Sequence, residues 1–380
     1  MSFSAVPGIY MQFPRVSTTG GSLPVEPSGL KREMAILRLP SEPCIYYPEM
    51  TVHREIMSGL CGFMDALESF YRAWACGEAA VTQPPKQVYW RPDVRGDWRV
   101  MPCAVERGWP GSEGATSGID AVKIIGTNEE ERVVRDKISV GKALLLHPTD
   151  HHVEAIFDVA ALSSFRTAAI SVLAYKYGGH RHDDVAGIVG AGRIGYYTAS
   201  ILRQWMGLSR LLVHDAADAR MHAFTETVGA CFGGAVHGAG RAELCRDSQA
   251  VFLATSSSQP LVDGRRGRDA RFISSVGADA DNLSELAPDV LDGRVLVSES
   301  RQNIAFGDLH RWHAAGLIGP EHIRTLDAVI GDAVAGVPVD RGVVFISTGT
   351  AVQDALVCRF LHDRLAGRGG QPLGAPPPGR

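Results

Sequence analysis

Three glycines near the middle of the 380-residue chain have the spacing of a phosphate-binding turn. Gly190, Gly192 and Gly195 follow the apolar run 185–189 and precede an amphipathic stretch. The first glycine permits a tight turn, the second lets a pyrophosphate approach the backbone, and the third allows close packing of helix on strand. Phosphates bound there would meet the N–H groups at the positive end of the helix. The pattern predicts a dinucleotide site of the Rossmann type, and a glycine-rich turn without a nucleotide is the alternative.

An acidic residue at the end of the next apolar run indicates which dinucleotide would bind. Asp215 ends the run 211–215, 20 residues after Gly195. Its carboxylate would accept hydrogen bonds from the adenine ribose hydroxyls and would repel a 2′-phosphate, which favours NAD over NADP. Arg193 and Arg220 could still reach a phosphate, so NADP stays the alternative. The predicted cofactor-binding residues are Gly190, Gly192, Arg193, Ile194, Gly195, Asp215, Thr255 and Ser256.

The elements around the glycine turn alternate between short apolar runs and helical patterns. Buried strands are predicted at 185–189, 211–213, 251–254, 272–276 and 295–297. This rhythm is typical of a parallel sheet with crossover helices. Other strands are predicted at 87–90, 98–101, 121–125, 142–146, 153–157 and 343–346, and helices at 56–74, 159–177 and 351–366. The sequence thus predicts an α/β fold, with a Rossmann-type NAD-binding domain and a smaller α+β domain.

The length of the chain suits two domains, because one domain usually spans roughly 100–200 residues. We expect a flexible extension over 1–33, where Ser, Thr, Gly and Pro are frequent, and a disordered tail over 367–380. The Rossmann domain is expected over 159–325. The smaller α+β domain is expected to combine 34–158 with 326–366.

Composition and charge argue against several other classes of function. Hydrophobic residues make up 45% of the chain, charged residues 21%, and the net charge is −4, so no basic surface for nucleic acid or membranes is indicated. The N-terminus lacks the basic and apolar regions of a signal peptide, and no apolar run is long enough to span a bilayer. The seven cysteines are widely spaced without a CxxC motif, which predicts reduced thiols in a cytoplasmic protein.

Four further segments carry a resemblance to a known family. They are Met101-Pro102, the lysine-containing run 121–125, the segment 163–169 that ends in Arg-Thr-Ala-Ala, and Gly277-Ala-Asp279. In their order and spacing, from about residue 50 to 365, these segments resemble the ornithine cyclodeaminase/mu-crystallin family. The Arg-Thr-Ala-Ala motif directly before the glycine turn is the most specific of them.

Within that family, the chain is most similar to the NAD-dependent N-(2-amino-2-carboxyethyl)-L-glutamate dehydrogenases of 2,3-diaminopropionate biosynthesis. The similarity rests on the Gln-Pro-Pro-Lys of 83–86, the stretch 300–318 and Gly331-Asp332. It implies oxidative cleavage of a C–N bond, with 2,3-diaminopropionate and 2-oxoglutarate as products. Asp281-Asn-Leu stands where the cyclodeaminases have Pro-Gly-Lys, which puts ornithine as the substrate in question. Cyclodeamination, ketimine reduction and a non-catalytic, nucleotide-bound role like that of mu-crystallin are the alternatives.

The resemblance also implies a role for each of five residues. Arg166 and Lys123 match the basic residues that hold the substrate carboxylate, and a guanidinium suits this task because it can donate two parallel hydrogen bonds. Asp279 matches the acid that exchanges a proton with the reacting nitrogen. The family's third basic residue falls near Lys86, with Arg91 as the alternative. Asp279 and Lys123 are therefore the predicted catalytic residues, and Arg166, Lys86 and Arg91 the predicted substrate-binding residues.

Each of these assignments competes with a purely structural interpretation. Arg166 could form a salt bridge along its helix, Lys123 could extend to the surface, and Asp279 could be an ordinary turn acid. The serines at 256–258 follow a predicted strand without a GxSxG pattern, so they are expected to line the cofactor cleft rather than to act as nucleophiles.

No metal is expected, and the implied partners are few. His147, His151, His152 and Glu154 fall in a predicted hairpin and lack a zinc-ligand pattern. The resemblance implies a small amino acid substrate and a homodimer formed by the domain outside the Rossmann fold, with the active site in the cleft between the domains.

Overall fold

The computed structural model describes residues 42–110, 118–127, 139–232, 235–280, 282–368 and 370–373. Two β-sheets, each of eight strands among these residues, are connected by helices. The predicted extension over 1–33 lies outside the described residues, and so does Asp281, the first residue of the Asp-Asn-Leu segment. Within the described ranges, no helix combines the length and the apolar character needed to cross a bilayer.

The first sheet is mostly antiparallel and comes largely from the N-terminal half of the chain. Its strands are β1 (Cys44–Tyr47), β2 (Ala80–Thr82), β3 (Gln87–Arg91), β4 (Val94–Arg107), β5 (Ile119–Thr127), β6 (Ser139–Leu146), β7 (Val153–Asp158) and, near the C-terminus, β16 (Gln371–Leu373). Their order across the sheet is β16-β1-β7-β6-β5-β4-β2, with β3 paired to β4. The β6–β7 pair confirms the hairpin predicted around the histidines.

The second sheet is parallel throughout its described pairs. Its strands are β8 (Ala186–Val189), β9 (Leu211–His214), β10 (Val236–Gly238), β11 (Ala250–Leu253), β12 (Phe272–Ser275), β13 (Arg294–Ser298), β14 (Arg324–Thr325) and β15 (Gly342–Ile346). Their order is β10-β9-β8-β11-β12-β15-β13-β14. Because the chain turns to β9 on one side of β8 and to β11 on the other, the carboxyl end of β8 is the switch point where such sheets bind ligands.

Helices cover both sheets. They are α1 (Glu49–Ala75), α2 (Val159–Tyr177), α3 (Arg193–Gln204), α4 (Asp218–Phe232), α5 (Arg241–Asp247), α6 (Gly307–Ala314), α7 (Leu326–Val334) and α8 (Ala351–Leu365). Short 3₁₀ turns lie at Pro288–Leu291, Arg301–Ala305 and Pro320–His322. On α1, the buried Ile56, Leu60, Phe63 and Leu67 recur at helical spacing. Burying one such side chain contributes about 1.5–3 kcal/mol, so this face fixes α1 in the core.

Helix α2 connects the two sheets and is almost entirely buried. It contacts α1 and α8 on the side of the first sheet, and α3 and β12 on the side of the second. Its residues from Val159 to Tyr175 are apolar or small with few exceptions, and Arg166 is the charged residue among its buried side chains. A helix that is apolar all round suits this central position.

Alternation along the antiparallel strands separates the two faces of the first sheet. Arg99 and Met101 of β4 point to the buried side, and Met101 is opposite Lys123 of β5. Trp98 lies on the other face, where its ring stacks on Tyr89 at 4.3 Å between centroids. The buried side of this sheet therefore carries two cations, Arg99 and Lys123, toward the core.

The predicted fold class is confirmed, and two predicted boundaries differ from the structure. The prediction places β15 with 326–366 in the smaller α+β domain, but β15 lies between β12 and β13 of the second sheet. Its apolar residues are buried on both sides, as a central parallel strand requires. The predicted disordered tail from residue 367 contains β16, which pairs with the edge strand β1, because composition alone does not report a free strand edge. The other domain boundaries stay predictions.

Candidate functional site

The glycine turn links β8 to α3 and leaves its backbone open on one side. Gly190 has a φ of 108°, and a Cβ at this position would overlap the carbonyl oxygen of Ala254. A Cβ on Gly195 would overlap the carbonyl oxygen of Gly190. At Gly192, in contrast, a Cβ would meet no described atom within 4 Å. Packing within the chain thus explains Gly190 and Gly195, whereas the space beside Gly192 fits a phosphate that approaches the backbone.

Asp215 follows β9 and lies against the glycine turn. Its Oδ2 accepts a hydrogen bond from the N–H of Ala191 at 2.9 Å, and its Oδ1 accepts one from the N–H of Ala217 at 2.9 Å. The exposed Arg220 places its Nε 3.3 Å from Oδ1. Gly192 and Arg220 also line a cavity of about 410 Å³. The structure therefore brings Asp215 to the turn, and its contact with a ribose stays a prediction.

Two loops at the carboxyl ends of β11 and β12 are held together by Glu285, which is fully buried. Its Oε1 accepts hydrogen bonds from the backbone N–H and the hydroxyl of Thr255, at 2.6 and 2.8 Å. Its Oε2 accepts from the Ser275 hydroxyl at 2.7 Å and from the N–H of Gly277 at 2.9 Å. Burial raises the pKa of Glu285, although these donors oppose the shift. Thr255 is thus fixed at the edge where a cofactor would lie, and the adjacent Ser256 is exposed there.

Arg166 and Lys123 converge on Asp354, a buried carboxylate of α8. The Nζ of Lys123 lies 2.6 Å from Oδ2 of Asp354, and the Nε of Arg166 lies 3.1 Å from Oδ1. Burial, together with the Arg166 guanidinium, lowers the pKa of Lys123 to about 8. When both basic groups are charged, two cations share one carboxylate. This pair therefore retains an excess positive charge that suits a bound carboxylate.

Asp279, in the loop after β12, is bound by Arg99 of β4. The Nη1 of Arg99 donates to Oδ2 of Asp279 at 2.6 Å. Asp97 accepts the other two bonds of this guanidinium, from Nε at 2.7 Å and from Nη2 at 2.9 Å. The Asp279 side chain is 38% exposed, so a ligand can reach it. Although burial opposes ionisation, Arg99 and Lys86 hold the pKa of Asp279 below its usual range, and the carboxylate is charged at neutral pH.

Lys86, directly before β3, completes the cluster. Its Nζ donates to the carbonyl oxygen of Thr348 at 2.7 Å and lies 3.6 Å from the centroid of the Phe306 ring. Burial lowers the pKa of Lys86 to about 7, although the Asp279 carboxylate opposes the shift. Arg91, the alternative for this position, is exposed at the end of β3 and has no described contact with these residues.

Three residues of the cluster are absent from the sequence prediction. They are Arg99 with its partner Asp97, and Asp354. The sequence does contain one indication of Arg99. It lies two residues before the apolar Met101, and therefore on the same face of the strand, whereas Trp98 lies on the other face. A charged residue at such an inward position is rarely buried without a partner. Asp354 gives no comparable local signal, since an acid near the start of a helix is common on dipole grounds alone.

The histidine hairpin lies apart from this cluster. His147, Asp150 and His152 have ligand atoms within 4.8 Å of one another. The Asp150 carboxylate is hydrogen-bonded to His152 and lies 3.3 Å from Nδ1 of His147. These contacts hold the exposed turn together in the manner expected of turn residues. The absence of a metal site stays a prediction.

The model of the ornithine cyclodeaminase/mu-crystallin family matches residues 49–369. Alanine dehydrogenase from Archaeoglobus fulgidus is 25% identical over 310 residues, which cover 79% of this chain and 89% of the relative.

Two solved structures share the fold. The Δ(1)-pyrroline-2-carboxylate reductase of Thermococcus litoralis, in complex with NADH and L-proline, has a TM-score of 0.73 at 22% identity and covers 85% of this chain and 98% of its own. An archaeal alanine dehydrogenase dimer with bound NAD has a TM-score of 0.73 at 21% identity. The match covers 87% of this chain and 99% of the dehydrogenase chain. The match of the family model over most of the chain shows that this protein belongs to the ornithine cyclodeaminase/mu-crystallin family.

Proposed function

We propose that this protein is an NAD-dependent oxidoreductase that cleaves the C–N bond of an amino acid, with N-(2-amino-2-carboxyethyl)-L-glutamate as substrate. The observation that carries the proposal is the charged, reachable Asp279 carboxylate beside four basic side chains. The basic residues are Lys86, Arg99, Lys123 and Arg166. Such a cluster can bind an anionic substrate and exchange a proton with it.

The residues at the glycine turn fit NAD. The open space beside Gly192 would receive the pyrophosphate, and the N-terminus of α3 would donate N–H groups to it. Asp215 would accept hydrogen bonds from the adenine ribose, and its charge disfavours a 2′-phosphate. NAD, when bound, supplies the acceptor for the hydride that leaves the substrate.

The basic residues would hold the carboxylate next to the reacting carbon. Arg166 and Lys123 are fixed by Asp354, so their orientation requires little reorganisation when a substrate binds. Lys86 lies on the Asp279 side of the cluster and would contact the same carboxylate or a second one. A substrate with several carboxylates is therefore better suited to this site than a neutral one.

Asp279 would accept the proton of the substrate nitrogen. In the oxidative direction, a hydride leaves the carbon, a proton leaves the nitrogen, and a C=N bond forms. Water then adds to the imine carbon, and the C–N bond breaks. The products are 2,3-diaminopropionate, 2-oxoglutarate, NADH and one proton, which balances the reaction. A carboxylate that is charged at neutral pH is in the state this step requires.

Imine reduction is the second candidate, because a structural neighbour is a pyrroline-2-carboxylate reductase with bound NADH and L-proline. The same groups would act in reverse. The carboxylate would be held by Arg166 and Lys123, and the nitrogen would be protonated at Asp279. Cyclodeamination of ornithine would differ because it yields proline and ammonia without net NADH.

We also propose a homodimer and a cytoplasmic location. The outer face of the first sheet exposes Tyr89, Trp98, Ile124 and Val140, each by at least 40%. Contiguous exposed apolar residues mark interaction surfaces, and an archaeal alanine dehydrogenase with this fold is a dimer. The free thiols are Cys44, Cys61, Cys76, Cys103, Cys245 and Cys358, as in a reducing compartment.

The test measures the formation of NADH through the rise in its absorbance. Protein and NAD are mixed separately with N-(2-amino-2-carboxyethyl)-L-glutamate and with ornithine. A rise with the first substrate alone supports the proposal, and Asp279→Asn should then abolish it. Asp269→Asn, which alters an exposed aspartate of the same half of the chain, is the matched control and should leave the rate unchanged. Proline and ammonia from ornithine, without NADH, would move the protein to the cyclodeaminases.

A further inference from the structure

We infer that Arg99, itself held by Asp97, is a positioning residue that fixes both the orientation and the ionised state of the Asp279 carboxylate. The inference rests on the proposed function, in which Asp279 accepts the proton of the substrate nitrogen. It adds a residue that neither the glycine turn nor the carboxylate-binding pair includes.

The geometry of the guanidinium supports this role. Asp97 binds Nε and Nη2 of Arg99 with two parallel hydrogen bonds, and this arrangement fixes the plane of the group. The remaining terminal nitrogen, Nη1, then points to Oδ2 of Asp279 at 2.6 Å. The Arg99 side chain is only 7% exposed, so it has little freedom to turn away. The other oxygen of Asp279, Oδ1, accepts no described hydrogen bond from Arg99 and can serve a ligand.

The bond also joins two parts of the fold. Arg99 comes from the buried face of β4 in the first sheet, and Asp279 from the loop after β12 in the second, 180 residues later. That loop is fixed on its other side by Glu285, which accepts from the N–H of Gly277. Asp279 is therefore held from both sheets, and a shift of either one would move the carboxylate.

The charges around Asp279 determine its protonation. Arg99, Lys86 and Arg166 face it and favour the ionised form, whereas burial opposes that form. Asp97 shares the Arg99 guanidinium with Asp279, whereas Glu285 binds the two loops and Asp308 binds Ser284. Arg99 is the closest of the cations and the one that is hydrogen-bonded to Asp279. Loss of Arg99 should therefore raise the pKa of Asp279 more than loss of any other single cation.

The experiment measures the titration of Asp279 directly. Protein labelled with carboxyl-¹³C aspartate is titrated by NMR, and the Asp279 signal is assigned by its absence in Asp279→Asn. In Arg99→Met, the midpoint is expected to rise by about 1–3 pH units, the usual effect of one adjacent opposite charge. The acidic limb of kcat/KM for amine oxidation should move up by the same amount, because the base must be unprotonated. Arg99→Lys keeps the positive charge but loses the planar guanidinium, and it should therefore give a smaller rise of the Asp279 midpoint.

The control is Arg107→Met, which removes an exposed arginine from the same strand. It should leave both the NMR midpoint and the acidic limb in place. An unchanged Asp279 midpoint in Arg99→Met, or an equal shift in Arg107→Met, would overturn the inference. If Arg99→Met does not fold, the midpoint in Arg99→Lys decides, and an unshifted value there counts against it. If the wild-type protein oxidises no amine, the proposed function fails, whereas the NMR titration still tests Arg99.

Discussion

Replacement of Lys86 by arginine should remove one pH limit on activity without loss of the positive charge. Lys86 is partly buried, donates to the carbonyl of Thr348, and has a pKa lowered by burial to about 7. If its cation holds the substrate carboxylate, kcat/KM must fall as pH rises through this value, because kcat/KM reports the free enzyme. One unit above the pKa, about a tenth of the lysine is still protonated. An arginine stays charged throughout this range.

The size of the change follows from the second basic residue. Lys123, with a pKa lowered to about 8, becomes the next group to limit activity. In Lys86→Arg, the alkaline limb should therefore move from about pH 7 to about pH 8. Compared with each enzyme's own plateau, the variant should retain about tenfold more kcat/KM at the upper value. The limb of kcat should move less, because a bound carboxylate already raises the pKa of Lys86.

The assay is NADH formation from N-(2-amino-2-carboxyethyl)-L-glutamate across the pH range, fitted separately for kcat and kcat/KM. Lys142→Arg is the matched control, since Lys142 is half-exposed on β6 and pairs with Asp158. That variant should have the wild-type profile. An alkaline limb that stays near pH 7 in Lys86→Arg would refute the assignment of this limit to Lys86.

Four other changes test separate parts of the structure. Gly192→Ala should lower the affinity for NADH at least tenfold, about 1.4 kcal/mol, as measured by titration with fluorescent NADH. It should cost less than about 1 kcal/mol in urea unfolding, because its Cβ meets no described atom. Gly195→Ala should instead destabilise the fold by about 1–3 kcal/mol, since its Cβ would overlap the carbonyl of Gly190; equal stability of the two variants would contradict this. Asp354→Asn should cost about 3 kcal/mol in unfolding, because it leaves Lys123 and Arg166 buried without their carboxylate, and Asp363→Asn on the same helix should not. Trp98→Glu should convert a dimer into monomers in light scattering, and a monomeric wild-type protein would exclude the dimer.

The parallel sheet could be predicted from the sequence because its strands are buried on both faces. Residues 186–189, 250–253 and 272–275 are all buried. The first two runs contain only apolar residues and glycine, whereas the third ends in the buried Ser274 and Ser275. The antiparallel strand β4 was predicted only in part, since its outer segment carries exposed and polar residues around Gly96. The position of β15 depends on the order of strands, which no local pattern reports.

Part of the site can be predicted from local sequence, whereas the rest depends on contacts between residues far apart in the chain. The glycine turn is a local motif, so its spacing alone predicts its form. Lys123 and Arg166 were identified through a resemblance, and their common partner Asp354 lies 188 residues after Arg166. Such a contact follows from the packing of α8 against α2 and β5, and each helix alone would permit another arrangement.

The charge of the site differs in sign from the charge of the chain. The whole sequence carries −4, yet the cluster places four basic side chains against three carboxylates within the described residues. The carboxylates are Asp97, Asp279 and Asp354, and two of the bases are lysines whose pKa values burial lowers to about 7 and about 8. A bound anion would raise both values, so substrate binding and proton uptake should be coupled at neutral pH. This coupling arises from side chains that only the folded chain brings together, and the net charge of the sequence gives no indication of it.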